Sequence, residues 1–319
     1  MKCKWIKKLT AGIIFLAAVG SLSGCQKAAT SENLFRDIEV NMTSVESAEE
    51  NQIVKLQMGD GDSAISQESN LDIEMTRNPA SVHRKGQQKT NMAGTKETQE
   101  MESYQVEEDG KTVIYSGTDE AWEKNAVEEK ETSSQQTVLF DGLQNLSGAF
   151  SVSQDLATVN KEECFELTGT ISGTQFQETF ADTLKALLGE DSSDLSGWNL
   201  QASEDEENNE ELQQKLNNVK VDCVIDIYRS NILPAKITFD LTDYLKAAGE
   251  ENAQVTSYTL EVTFVSYNDT KKIKVPKAVK ESAKDNGEDE AENSTDEMLE
   301  YMEDVDHVVY FQRPDTKFE

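Results

Sequence analysis

Residues 219–239 constrain the fold most. Val219, Val221, Cys223, Ile225 and Ile227 alternate with Lys220, Asp222 and Asp226. After a break at 229–232, Leu233, Ala235, Ile237 and Phe239 alternate with Pro234, Lys236, Thr238 and Asp240. A period of two is that of a strand with one buried face, so the two runs predict a hairpin. Tyr258, Leu260, Val262 and Phe264 repeat the pattern, as do Val54, Leu56 and Met58, and then Leu71, Ile73 and Met75. Gly59–Asp62 and Asn78-Pro79 are turn signals. Glu107-Glu108-Asp109-Gly110, between Tyr104/Val106 and Val113/Tyr115, predicts a second hairpin. Residues 80–100 read as one weakly buried strand at a sheet edge, and Trp122 marks the last short strand of this half.

Helical spacing is confined to a few segments. Over Ser31 to Glu50, Leu34, Ile38, Met42 and Val45 fall on one face of a helix for which Ser31 is a plausible N-cap. Asp141 with Leu143 and Leu146 predicts a short helix, and Phe165, Leu167 and Ile171 a strand. Phe176, Phe180, Leu184, Leu187 and Leu188 form a helical stripe closed by Gly189. Thr242 to Ala248 predicts a short helix closed by Gly249. Residues 190–211, rich in Glu, read as an exposed acidic loop. Ile273, Val275 and Pro276 close the ordered part, and the role of Val308 to Phe311 is left open. Long antiparallel strands with one apolar face and a few amphipathic helices define an α+β domain, its helices covering the apolar face of one curved sheet.

No catalytic constellation is legible. The two histidines, His83 and His307, are far apart and read as incidental surface residues. There is no G-x-S-x-G, H-E-x-x-H or P-loop pattern. Asp60 and Asp62 sit in a Gly-rich turn but lack the further ligands of an EF-hand. No cofactor or metal is expected, and binding rather than catalysis is the expected mode. Cys223 shares strand parity with Val221 and Ile225, whereas Cys164 lies with Glu166 and Thr168, opposite Phe165 and Leu167. The two thiols should therefore face opposite sides and stay free, with Cys223 buried. The stripe Phe176–Leu188, taken alone, is more often ordinary core than the wall of a ligand cavity.

The N-terminus fixes location. Lys2, Lys4, Lys7 and Lys8 precede an apolar run from Leu9 to Val19, which is too short to span a membrane and reads as a secretory signal. It ends in Leu22-Ser23-Gly24-Cys25, which resembles the lipobox of bacterial lipoproteins. The resemblance implies removal of 1–24, a diacylglyceryl thioether on Cys25 and a lipidated tether over 25–31. Two acyl chains anchor stably where one does not. The expected location is thus the cell membrane, on its extracytoplasmic face. Loss of four lysines takes the net charge from −31 to −35, which excludes a nucleic-acid footprint. Residues 281–304 carry eleven acids and one base, so 281–319 reads as a solvated acidic tail.

Three stretches carry a further resemblance: Val106 to Tyr115 with Trp122; Asp226 to Phe239 with its Leu233-Pro234; and Tyr258 to Tyr267 followed by Ile273-Lys274-Val275-Pro276. Together with the lipobox and leading helix they resemble the LolA-like lipoproteins over about residues 30–280. That resemblance implies an incomplete barrel over 32–280, a strongly curved antiparallel sheet with helices packed on its concave face. It also implies binding of an apolar ligand, expected to be lipid, between sheet and helices. An alternative is a surface-anchored interaction or sensory module with a packed interior, its acidic segments recruiting a basic partner.

Overall fold

The computed structural model describes residues 29–59, 64–92, 94–118, 121–127, 143–188, 206–248 and 255–285. The signal, Cys25, Asp60 and Asp62, Asp141, residues 190–205, His307 and the tail from 286 lie outside these.

Among the described residues, twelve strands form one open sheet. They are β1 (Ser47–Met58), β2 (Ile65–Thr76), β3 (Ser81–Met92), β4 (Thr95–Glu108), β5 (Lys111–Gly117), β6 (Trp122–Val127), β7 (Phe150–Val159), β8 (Glu162–Ser172), β9 (Lys220–Tyr228), β10 (Pro234–Asp240), β11 (Val255–Tyr267) and β12 (Lys284–Asp285). The order across the sheet is β12-β6-β5-β4-β3-β2-β1-β11-β10-β9-β8-β7. Eleven strands are joined antiparallel, and β12 adds a short parallel pair, Lys284 with Glu123. The helices are α1 (Ser31–Met42), α2 (Gly173–Leu188), α3 (Glu206–Asn217), α4 (Thr242–Ala248) and α5 (Lys277–Ser282), with a short 3-10 helix at Leu143–Ala149.

Local chemistry explains the joints. The Thr30 side chain, not that of Ser31, caps α1 by accepting from the Asn33 amide. Asp109 and Gly110, with φ 53° and 77°, turn β4 into β5. Positive φ at both central residues matches the strand twist, which is why Asp-Gly serves there. Asn160 and Lys161 (φ 50° and 70°) do the same between β7 and β8.

Four further expectations need correction. Residues 80–100 hold most of β3 and the start of β4, and β3 lies inside the sheet between β2 and β4. Its side chains are polar on both sides because an inner strand needs backbone partners, not side-chain burial. The acidic stretch is helical from Glu206 onward, since α3 sets Leu212 and Leu216 against the core. The first helix ends at Met42 and β1 begins at Ser47, so the end of the stretch read as helix to Glu50 is strand, earlier than the alternation from Val54 indicates. Order continues beyond 280 through the end of α5 and into β12.

The main core lies on one face of β1 and β7–β11. Leu34, Phe35, Ile38 and Met42 of α1, Phe176 and Phe180 of α2, Leu216 of α3 and Tyr244 and Leu245 of α4 pack there against Leu167, Cys223, Ile225, Phe239, Leu260 and Phe264. Phe35 meets Phe150 edge-on at 5.2 Å. Each such side chain contributes about 1.5–3 kcal/mol on burial. A second cluster forms on the other face. There Tyr104, Val106, Val113, Tyr115 and Trp122 are covered by Ile273, Val275 and Val279, so the segment after β11 straps the far half of the sheet.

Candidate functional site

Strand β1 carries the helix-covered face out from beneath the helices. On one parity it presents Ala48, Glu50, Gln52, Val54, Leu56 and Met58. The partners of Glu50 to Leu56 on β11 are Phe264, Val262, Leu260 and Tyr258. Those on β2, from Ala48 to Met58, are Met75, Ile73, Leu71, Ser69, Gln67 and Ile65. Because side chains alternate along a strand, all of these share one face. Val54, Leu56 and Met58 touch the main core but stay half-buried; Ile65 and Leu71 on β2 and Met92 on β3, on the same face, are half-buried too. A half-buried apolar strip therefore continues the core face past its helical cover.

At the inner end of that strip the face turns polar. Glu50 and Gln52 are each 2% exposed. Oε1 of Glu50 and Oε1 of Gln52 have no hydrogen-bond partner among the described residues. The register explains this: Glu50 lies between Ile73 and Phe264, and Gln52 between Leu71 and Val262. Arg84, opposite Ile73 on β3, supplies a positive charge that acts on Glu50. Burial pushes the Glu50 carboxyl up to about 7, against the lowering effect of Arg84. Burial likewise lowers Arg84 from its ordinary value. Sequence reading missed all three residues. The one available signal was a polar pair at positions of core parity in a run, Ala48 to Met58, that is apolar at both ends.

The stripe on α2 is closed where it is described. Phe176 and Phe180 are 0% and 1% exposed. The Phe176 ring packs at 5.3 Å on Phe239 and 4.9 Å on Tyr244, and the Phe180 ring at 4.9 Å on Phe239. These two residues are core. Leu184, Leu187 and Leu188 lie outside the described side chains.

His83 is not incidental. Its Nδ1 lies 3.2 Å from Glu74 Oε2 and its Nε2 2.9 Å from Glu102 Oε1. Its ring stacks on Tyr104 at 4.3 Å. Tyr104 Oη and Lys85 Nζ also donate to Glu102, at 2.7 and 3.0 Å. Burial would raise the Glu102 carboxyl, but the hydrogen bonds from Tyr104, His83 and Lys85 outweigh it and hold it below its ordinary value. This network lies on the face away from the helices, ties β2, β3 and β4 together, and contains no nucleophile. Among the described residues no three His, Cys, Asp or Glu side chains form a group that could hold a metal ion.

Cys164 and Cys223 are both buried and free. Cys223 packs in the main core, and Cys164 packs on the opposite face with Val159, Tyr228 and Ala235.

The sequence profile of a family of unknown function, DUF6612, matches residues 30–284. The chain belongs to that DUF6612 family. No curated protein matches the sequence. Among solved structures it is similar to LprF from Mycobacterium bovis, at 11% identity over 77% of this chain and 96% of that one, with a TM-score of 0.42. It is similar to the Mycobacterium tuberculosis lipoprotein LppX, at 13% identity over 76% and 98%, TM-score 0.40. A LolA superfamily protein from Nitrosomonas europaea matches at 10% identity over 79% and 97%, TM-score 0.21.

Proposed function

We propose that this DUF6612 member is a non-catalytic lipoprotein, anchored through Cys25 on the extracytoplasmic face of the cell membrane, that holds an apolar ligand against the helix-covered face of its sheet. Residues 1–24 are the signal, 25–31 the tether and 32–280 the binding domain, with the helices on the concave side of the sheet. The observation that carries the reading is the strip Val54, Leu56 and Met58, packed against the core yet half-buried, with half-buried Ile65 and Met92 beside Met58 on the same face. A sheet face that is only core is covered, and one that is only surface is polar; this one is neither. Shelter of an acyl chain there is worth about 0.8 kcal/mol per CH₂.

The alternative, a partner-binding module with a packed interior, draws on the tight contacts among Phe176, Phe180, Phe239 and Tyr244. One experiment separates the two. The chain from Gln26 onward, purified from its own kind of cell, is weighed by native mass spectrometry and extracted with organic solvent. A stoichiometric apolar adduct supports the carrier; a clean apo mass with no uptake of added lipid supports the module. Replacing Cys25 by Ala in the full chain tests the anchor, with release from the membrane fraction as the expected result.

A further inference from the structure

Two buried acceptors two residues apart on one strand, walled by apolar side chains in both neighbouring strands, are an unusual thing for a sheet to keep. Buried polar atoms are nearly always paired, because an unmade bond costs more than a made one returns. Glu50 Oε1 and Gln52 Oε1 are both fully buried and without a donor among the described residues. The flanking residues Ile73, Phe264, Leu71 and Val262 have no side-chain donor to give. Arg84 reaches Glu50 with its charge, yet Oε1 stays unmatched. The two side chains stand about 7 Å apart along β1. They lie on the same face of β1 as Val54, Leu56 and Met58, Gln52 two residues before Val54.

We propose that Glu50 and Gln52 form a polar subsite that receives the hydrogen-bond-donating headgroup of an amphiphile, a hydroxyl or an ammonium group, while its chain lies along Val54, Leu56, Met58 and Ile65. This rests on the carrier reading above and names the ligand class for it. An anionic headgroup is not the expected occupant, because its oxygens would face Glu50 Oε1 and Gln52 Oε1, which have no donor among the described residues. A donor fits, since each oxygen lacks only a proton to accept. A purely apolar ligand leaves both oxygens unpaired and gains nothing from them.

The test uses the chain from Gln26 onward and three probes with identical chains: 1,2-dioleoylglycerol, its 3-amino analogue, and its 3-acetate, which has no donor. Displacement of a fluorescent fatty-chain probe reads affinity. The expected result is that the hydroxyl or the amine binds at least tenfold more tightly than the acetate, the return on one or two buried hydrogen bonds. Which of the two leads identifies the source of the donor. E50L/Q52L should lose the preference and keep the affinity for the acetate, because the apolar strip is untouched. E50Q keeps the acceptor and loses the charge, so an ammonium preference should fall while a hydroxyl preference persists. Equal binding of all three probes, or an unchanged preference in E50L/Q52L, overturns the subsite and leaves the carrier standing. Failure of every probe to bind overturns both.

Discussion

Cys164 and Cys223 lie on neighbouring strands with their thiols on opposite faces of the sheet. Cys164 pairs with Tyr228 and Cys223 with Gly169, so the two cysteines stand five residues apart in register. Five is odd, which sets them on opposite faces, and it separates them by about 17 Å along the strands. A disulfide needs Cα atoms within about 7 Å. Thiol titration of the chain from Gln26 onward should give two reactive groups in denaturant without reductant, and none in the native state. Burial alone raises the Cys223 thiol far above its ordinary value, which keeps it inert. Fewer than two thiols in denaturant would sink this.

Glu50 makes stability depend on pH. Its ordinary value is 4.5, and in the folded protein burial raises it to about 7 while Arg84 pulls it down. Arg84 and the Tyr267 hydroxyl are the titratable groups that feel it. Between those two pH values the folded chain holds the extra proton, so stability falls as pH rises from 4.5 to 7 and levels off above. The loss is about 3 kcal/mol. Asp226, raised from 3.8 to about 6 by burial and by Glu166, acts in the same direction over a lower window. Glu50→Gln should flatten the Glu50 part. Urea unfolding of both proteins from pH 4.5 to 8 checks this, and parallel curves would refute it.

Gly86 should tolerate no side chain. It pairs with Leu71, and a Cβ built there would stand 2.0 Å from the Asn70 carbonyl oxygen. The obstacle is backbone in an adjoining strand, so neither rotamer change nor local give relieves it. Gly86→Ala should cost at least about 2 kcal/mol, read as a lowered denaturant midpoint. Gly148 has nothing within 4 Å of its Cβ position, so Gly148→Ala serves as a control with little effect.

The strap after β11 should hold by packing more than by charge. Ile273, Val275 and Val279 cover Tyr104, Tyr115 and Trp122. Lys280 pairs with Glu108 and sits 6.0 Å over the Tyr115 ring. Partly exposed ion pairs are worth up to about 1 kcal/mol, whereas truncating a buried Ile costs about 2 kcal/mol or more. Ile273→Ala should therefore destabilise more than Lys280→Met. Trp122 fluorescence should shift to the red in the first and stay unchanged in the second.

Much of the architecture was legible before the structure. The period-two runs mark β9, β10 and β11, Asp109-Gly110 marks its hairpin, and α4 spans Thr242–Ala248 as its pattern requires. The parity of the two cysteines was readable too. All of these are local: they depend on which way one side chain points relative to the next. Tertiary structure decided the rest. β3 looks like an edge because its side chains are polar, but its neighbours are chosen by backbone pairing that leaves no mark in its own sequence. Glu50 falls at the end of the stretch read as helix and Gln52 before the strand pattern that starts at Val54; only β2 and β11 wall them with Ile73, Leu71, Val262 and Phe264. His83 gained its role only when β2 and β4 brought Glu74, Glu102 and Tyr104 beside it. Sequence alone determines each strand's inward face, because alternation is a property of the single chain. Which strands adjoin, and so which polar groups are buried without partners, follows from contacts between residues far apart in the chain.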